Sequence, residues 1–581
     1  MKNRYFSTER NTQIVIGLMK AHNVKRIVVS PGMKNMCLVA SLQADPFFEL
    51  YSCVDERSAA YIACGLAEET GEPVALSCTG ATASRNYTSA LTEAFYSKIP
   101  ILAITSMSHV GDIGQLVPQA IDRRVQFNDL VKLSVQIPMI RCQKDEQAAI
   151  VQVNSALLEL RRHGGGPVHI NLETLNTRDF TATELPPVRV IRRVCYSDVF
   201  PELSSVRTGI FVGKHRVWTK RLTELVDRFC EENNAVVFCD HTSNYHGKYG
   251  IWPSILTVQR QYSSPLKSMD TLIHIGEISG AYISLEPKNV WRVNPDGEVR
   301  DPFHKLTFVF EMDEEYFFEK INLHSKQKKN TEYFTQWNDE ITAIRRLIPE
   351  LPYSNAWIAQ NTLPKIPENS CLLVGILNSL RNWNFFDAPP TISGYSNTGG
   401  FGIDGLSSTI IGVSLANPQK LCYAVIGDLA FFYDLNSLGN RHVGNNVRIL
   451  LINNGLGVEF RNYGHPCSEF GEDANPFMAA AGHFGKQSVT LVKNYAESLG
   501  YRYLSAGNKE EYNQNVMEFC DPQIGKQPIV FEVFTDQVDE YNALEIMSNL
   551  IAQTGSSTKE TVKRVLGDKG TATIKKLFGK K

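Results

Sequence analysis

The chain has 581 residues, of which 43% are hydrophobic and 21% charged, and its formal net charge is −2. That length exceeds one core and implies about three to four domains at the usual ~150 residues each. The composition is that of an ordinary globular protein, and so balanced a charge gives no electrostatic reason to expect nucleic-acid binding.

From the N-terminus, "MKNRYFSTERNTQIVIGLMKAHNV" is polar and then amphipathic, without the apolar core of a signal peptide, and no apolar run in the chain is long enough to span a bilayer. Short apolar runs then alternate with helical patterns: "RIVVSPG", "PVALSCTG", "IPILAITS" and "PVHINLE", then "TGIFVGK", "NAVVFCD" and "TLIHIGE", and finally "CLLVGIL", "LCYAVIGD", "VRILLINN" and "PIVFEVF". Runs of four to eight residues bounded by Gly, Pro or Asp and spaced by helix-length segments read as buried parallel strands in α/β layers. Proline-bearing stretches, "TATELPPVRVIRR" and "LIPELPYSN", separate three groups. The expected organisation is three α/β domains, 1–185, 186–350 and 351–545, and a basic tail, 546–581. The tail ends in "TIKKLFGKK"; it reads as a solvated end, the alternative being a segment that rests on an anionic membrane or partner surface. The twelve cysteines are scattered, mostly in apolar surroundings, and no C-x-x-C pair occurs. Buried thiols in a reducing cytoplasm are therefore expected, and neither a disulfide framework nor a zinc site.

Three segments carry chemistry. In 52–67, "SCVDERSAAYIACGLA", Glu56 opens an otherwise apolar helix. Such a carboxylate is either a helix-start acid favoured by the dipole, with Arg57 as partner, or a functional acid in a dry place, where its pKa rises. In 423–460 the order is strand, Gly-Asp, helix, strand, Asn-Asn-Gly. Asp428 stands at a strand's C-terminal end, the edge at which open α/β sheets bind ligands, before a helix start that attracts phosphate. Asn454 lies 26 residues further on, at the end of the next strand. A β–α–β unit brings those ends side by side, so both oxygens and the Leu456 carbonyl can reach one hard cation such as Mg²⁺. In 393–412, "SGYSNTGGFGIDGLSSTIIG", glycines crowd a strand-to-helix turn and let backbone approach a ligand. Ile403 there is either a wedge beneath that ligand or ordinary core.

The Gly-Asp…Asn-Asn segment resembles the signature of thiamine-diphosphate (ThDP) enzymes, and the chain as a whole looks like the branch of menaquinone biosynthesis that decarboxylates 2-oxoglutarate and adds the product to isochorismate. The resemblance covers roughly 10–545 and rests on "VVSPG", the run from "DERSAAYIACGLAEETGEP" to "IPILAIT", "QAIDR", "GGGPVHINLE", "VNPDGEVRDPFHK", "GFGIDGLSSTIIG" and "GDLAFFYDLNSL". It implies a three-domain fold of doubly wound parallel sheets: a pyrimidine-binding, a middle and a diphosphate-binding domain. It implies ThDP and Mg²⁺ as cofactors, and a homodimer or dimer of dimers in which Glu56 of one chain meets the cofactor held by Asp428 of the other. Glu56 would hydrogen-bond the aminopyrimidine ring. Asp428, Asn454 and the Leu456 carbonyl would ligate Mg²⁺, with Gly427, Leu429 and Ala430 beside the diphosphate. Ile403 would prop the cofactor, the Phe401 carbonyl would hold its amino group, and Gly32, Thr82 and Asn86 would complete the cofactor's surroundings. The family usually has Gly after the Asp, whereas this branch has Leu, as here.

The substrate side departs from that branch. Where it has Ser-Arg-Ser after "SPG", this chain has Met33, Lys34 and Asn35; where it has Asp-Arg-Pro after "LAIT", Met107, Ser108 and His109 stand; a Lys-Arg pair is replaced by Ala281 and Tyr282, and an Arg by Thr398. Only Arg381 keeps its register, and Lys34 keeps a charge. Each lost charged contact costs about 1.5–3 kcal/mol, so retained cofactor machinery with a rewritten grip implies a changed substrate. The expectation is a ThDP- and Mg²⁺-dependent carboligase that joins a decarboxylated 2-oxo acid to an acceptor of unspecified identity. Lys34, Arg85, His109, Gln119 and Arg381 are the candidate substrate residues. For Arg85 the alternative is a surface ion pair, and for His109 a loop histidine. The menaquinone step with an altered pocket, a plain decarboxylase and an inactive cofactor-binding scaffold are the alternatives to carboligation.

Overall fold

The computed structural model describes residues 5–216, 218–281, 283–324, 329–484 and 487–551. The basic end of the expected tail and Tyr282 lie outside the described residues. The chain divides into two compact units, 1–195 with 297–309, and 196–296 with 310–581.

The first unit carries β1 (Arg26–Val29), β2 (Glu49–Ser52), β3 (Val74–Cys78), β4 (Ile101–Met107), β5 (Ser134–Ile137) and β6 (Val168–Glu173), followed by the short β7 (Arg192–Val194). β1 to β6 form one parallel sheet in the order β2-β1-β3-β4-β6-β5. Both faces are covered, and the two-residue period of the strands divides the side chains between them. Ile27, Ala75, Leu102 and Ile104 enter one core with Ile14 and Leu18 of helix Arg10–Ala21 and Val153 of helix Gln143–Glu159. Val28, Leu76, Ile101 and Ala103 enter the other, with Ala59, Ala63 and Ala67 of helix Glu56–Thr70. The small buried stripe of that last helix lets it lie close to β3. Its ends are set by local chemistry: the Asp55 carboxylate accepts the Ser58 N–H at 3.1 Å, and Gly71 ends it at φ 66°.

The second unit carries two sheets. β8 (Thr208–Val212), β9 (Ala235–Phe238), β10 (Gly250–Ile251), β11 (Ser268–Ile275) and β12 (Glu286–Val293) run parallel in the order β10-β9-β8-β11-β12, and β13 (Leu306–Phe310) crosses the unit boundary. β14 (Cys371–Val374), β15 (Ser393–Tyr395), β16 (Cys422–Gly427), β17 (Val447–Asn453), β18 (Arg502–Ala506) and β19 (Ile529–Phe534) form a parallel sheet in the order β15-β14-β16-β17-β19-β18. The two sheets meet where a Cβ on Gly394 would lie 1.6 Å from the His241 carbonyl oxygen, so only glycine fits. Asn244 bridges there, donating to the carbonyls of His215 and Gly394 and accepting the Gly394 N–H.

Every apolar run singled out above forms a strand. Of the strands without such a run, β2, β5, β15 and β18 lie at sheet edges, whereas β12 and β13 lie inside theirs. An edge strand is covered less completely and needs no unbroken apolar run; β2 accordingly has no fully buried position, and β18 mixes exposed, partly buried and buried ones. Eight of the twelve cysteines are buried.

Candidate active site

In the second unit, β16 ends at Gly427 and the helix Asp428–Tyr433 begins at once. β16 and β17 pair in parallel with Gly427 opposite Ile452, which brings the turn after β17 beside Asp428. The Gly455 N–H donates to Asp428 Oδ2 at 2.9 Å. Asp428 is only 6% exposed, and no Lys or Arg pairs with it among the described residues. Burial pushes its carboxyl up to about 7, against backbone N–H groups that pull it down. Asn454 Oδ1 accepts the Leu456 N–H at 3.4 Å, and the Leu456 carbonyl accepts the Val458 N–H at 3.0 Å, leaving its second lone pair. A buried carboxylate without a cation, an amide oxygen and a carbonyl make a hard-oxygen donor set, and such a set fits Mg²⁺. A Cβ on Gly427 would meet nothing within 4 Å, so the strand tip faces open space. Leu429 is half-buried and Ala430 buried beside it.

The glycine-rich turn lies between β15 and helix Leu406–Ala416. Phe401 sits at φ 54°, a left-handed conformation that a residue with a side chain adopts at a cost. Ile403 is half-buried and packs against the core of this sheet. Two carboxylates that sequence reasoning passed over hold this edge. Asp434 accepts the Ser408 N–H at 2.6 Å and its hydroxyl at 2.7 Å, fixing the first turn of helix Leu406–Ala416. Buried Glu532 accepts from Asn453 Nδ2 at 2.7 Å and from the Tyr503 hydroxyl at 2.8 Å, and burial raises its carboxyl as well. Arg381, at the end of helix Asn378–Trp383, is ion-paired with Glu459. Thr398, where the related branch carries Arg, is buried.

In the first unit the carboxyl ends of β1, β3 and β4 converge. A Cβ on Gly32 would lie 2.5 Å from Thr79 Cβ, so glycine lets the turns after β1 and β3 touch. Glu56, half-buried at the first position of its helix, accepts from Asn86 Nδ2 at 3.4 Å. Lys34 is 9% exposed, and its ammonium reaches the Gln119 carbonyl at 3.4 Å. Burial lowers its pKa, Arg123 nearby adds to this, and Asp112 opposes it. Arg85 donates to the Asp122 carbonyl at 2.9 Å. Glu56 with Asn86, and Lys34 with Gln119 and the 119–123 segment, are thus brought together. Thr82, exposed, opens the short helix Thr82–Asn86, directly after Ala81 at φ 59°. His109 turns elsewhere: its Nδ1 accepts the Gly111 N–H at 3.0 Å, and its Nε2 lies 3.1 Å from Arg141 Nη2 and 4.0 Å from Glu173.

Arg123 closes the "QAIDR" segment but is not among the candidate site residues drawn from the sequence. It is 2% exposed, and its guanidinium donates to the Ser106 carbonyl, Asn171 Oδ1 and Ser84 Oγ. Burial pushes its pKa down to about 10. A Cβ on Gly80 would lie 2.7 Å from its Nη1, so the turn after β3 needs glycine to admit it.

Residues 10–127 match the family described as thiamine pyrophosphate enzyme, N-terminal TPP binding domain. The 2-succinyl-5-enolpyruvyl-6-hydroxy-3-cyclohexene-1-carboxylate synthase of Bacteroides fragilis is 32% identical over 92% of this chain and 97% of its own length. The enzyme of the same name from Bacteroides thetaiotaomicron is 33% identical over 92% of this chain and 97% of its own. A thiamine diphosphate-dependent 4-hydroxybenzoylformate decarboxylase of Rhodococcus jostii RHA1 aligns over 90% of this chain and 99% of its own, at 16% identity and a TM-score of 0.39, too low for the fold to be argued from it. With three α/β sheets and relatives matched along nearly their whole length, the chain belongs to the 2-succinyl-5-enolpyruvyl-6-hydroxy-3-cyclohexene-1-carboxylate synthase family of thiamine-diphosphate enzymes.

Proposed function

We propose that this protein is a ThDP- and Mg²⁺-dependent carboligase that decarboxylates a 2-oxo acid and joins the remainder to an acceptor, in a pocket whose anion grip differs from that of its relatives. The observation that carries the reading is the match to those relatives over 92% of the chain. Buried Asp428, without a cationic partner among the described residues, supports the metal.

Bound ThDP supplies the electron sink for decarboxylation and carbon–carbon bond formation. The chain's residues would do the rest, with 1–185, 186–350 and 351–545 as pyrimidine-binding, middle and diphosphate-binding domains. Asp428, Asn454 and the Leu456 carbonyl would hold Mg²⁺, and Gly427, Leu429 and Ala430 would line the diphosphate. Ile403 and the Phe401 carbonyl would shape the seat of the ring system, with Gly32 and Thr82 beside it. Glu56 would hold a proton against the aminopyrimidine, oriented by the Asn86 amide. Lys34 and Gln119 would meet the substrate, with Arg85 toward the acceptor; His109 would reach it only by leaving Arg141. Arg381 would serve only in so far as Glu459 releases it. The functional form is taken to be a cytoplasmic homodimer or dimer of dimers; no described helix is long and apolar enough to cross a membrane.

The relatives' own reaction is the second reading, favoured by their overall identity and by the charge kept at Lys34, and opposed by Ser108, Ala281, Tyr282 and Thr398 at positions where that branch has cationic residues. The two separate in one assay. Purified protein with ThDP and Mg²⁺ is fed 2-oxoglutarate, pyruvate and other 2-oxo acids, with and without isochorismate, and the cofactor adduct is weighed by mass spectrometry. A donor other than 2-oxoglutarate supports the altered pocket; product from 2-oxoglutarate and isochorismate supports the relatives' step. No adduct with any acid, despite cofactor binding, would refute catalysis.

A further inference from the structure

We propose that the first unit holds a site for a monatomic anion, a halide such as chloride, in the small cavity between β4 and β6 on one side and helix Thr88–Tyr96 with residues 126–131 on the other. Leu91 of that helix, Ala103 and Thr105 of β4, His169 of β6 and Val131 line the cavity together with Arg123. Ala103 and His169 stand opposite each other where β4 and β6 pair. The cavity therefore lies within the layer between sheet and helix, not at the carboxyl edge proposed for the coenzyme. Exposed Arg85 is the one lining residue it shares with the proposed substrate side. Its volume of about 10 Å³ has room for one water-sized particle.

The charge selects the ligand. Arg123 is 2% exposed, yet the partners of its guanidinium are all neutral: the Ser106 carbonyl at 3.2 Å, Asn171 Oδ1 at 2.9 Å and Ser84 Oγ at 3.4 Å. Its Nε–H is buried and meets no acceptor among the described residues, and no carboxylate among them pairs with it. A buried charge needs a counter-charge or carries a large desolvation cost. His169 does not supply one. Its Nδ1 lies 2.8 Å from Ser134 Oγ and its Nε2 2.8 Å from Thr105 Oγ1, and burial with Arg123 nearby pushes its pKa down to about 3, so the ring is neutral. Cys78 faces Arg123 as a thiol, since burial pushes it up to about 12. The adjacent Asp122 carboxylate is taken by Arg124. The remaining charged neighbours, Arg85 and Lys34, are cations and repel Arg123. A water in the cavity would accept an N–H but leave this charge standing; an anion does both. Carboxylates, phosphate and sulfate exceed the volume, whereas a halide is the anion nearest to water in size, and its weak hydration suits walls such as Leu91, Ala103 and Val131. Gln126 Nε2 gives one hydrogen to the Arg123 carbonyl at 2.7 Å and has a second to offer the ion.

The full-length protein is dialysed into sodium gluconate, whose anion is too large for the cavity, and titrated with sodium chloride or sodium bromide at constant ionic strength. The melting temperature should rise saturably with either halide, by about 2–4 °C, and R123Q should lose that rise. A second measurement needs no variant: crystals of the unaltered protein soaked in sodium bromide should show an anomalous peak in the cavity, within hydrogen-bond reach of Arg123. Equal melting temperatures in chloride and gluconate would overturn the proposal. So would a halide-dependent rise that persists in folded R123Q, or bromide peaks at the protein surface alone, which would mark an adventitious ion only.

Discussion

The Gly455 N–H donates to Oδ2 of Asp428 at 2.9 Å, tying the turn after β17 to the carboxylate that closes β16. That bond aims the carboxylate but does not neutralise it. Burial raises the carboxyl from 3.8 to about 7, so the folded protein binds this proton more tightly than the unfolded one. The stability it contributes is therefore complete below about 3.8 and is lost as pH rises through about 7. Without metal, the melting temperature should fall between pH 5 and 8 more steeply for the parent than for D428N. Saturating Mg²⁺ and ThDP should remove the difference in slope by holding the carboxylate ionised, and D428N should bind ThDP at least tenfold more weakly. Parallel slopes for parent and variant in the metal-free state would show that Asp428 is not the titrating group.

Glu56 and Asn86 meet at 3.4 Å. If Glu56 holds the proton on the coenzyme, E56Q should lower CO₂ release about 10²–10⁴-fold while coenzyme affinity changes little, because the phosphate anchor is untouched. N86A should cost less, since water can replace the amide donor. Single-turnover CO₂ release and a ThDP titration, run on the same preparations, separate the two effects. A fully active E56Q would rule out this role.

Asp434 makes two short bonds to Ser408 and so fixes the helix that follows the Phe401–Ile403 turn. D434A would orphan a backbone N–H and a hydroxyl, at a cost of about 1–3 kcal/mol, visible as a lower urea midpoint. The loosened turn should also weaken ThDP binding with little change in turnover at saturation. A variant as stable as the parent would mean that water satisfies Ser408 equally well.

The central strands were legible because both their faces are covered, which writes an unbroken apolar run into the sequence; β16 and β17 are buried at nearly every position. Edge strands β2 and β18 carry no such mark. The turn at Asp428 was legible for a related reason, since Gly-Asp closing an apolar run marks a strand that passes into a helix, common though that pair is in such folds. Glu532 was not, because one carboxylate inside "PIVFEVF" reads as an interruption until Asn453 and Tyr503 are seen to close on it. Arg123 in "QAIDRRVQF" looks like a surface arginine; its burial depends on Gly80 and Asn171, 43 and 48 residues away. Contacts that span such separations leave no periodic trace in one sequence.

Arg381 shows the same limit and makes the sharpest test. Its register suggests a substrate clamp, yet it is ion-paired with Glu459, 78 residues away, the side chains being 25% and 11% exposed. If the pair is structural, R381Q strands a largely buried carboxylate and should destabilise the protein by about 1–3 kcal/mol, less than the loss for a fully buried pair. The double variant R381Q/E459Q should recover most of that loss, because two neutral amides can bond each other. If Arg381 also grips a substrate carboxylate, the KM for the 2-oxo acid should rise about tenfold or more in R381Q and stay raised in the double variant. Urea midpoints and KM values measured on the two single variants and the double thus report the two roles separately. Recovery of stability and KM together would assign Arg381 to the fold alone, and the substrate's anion would then fall to Lys34.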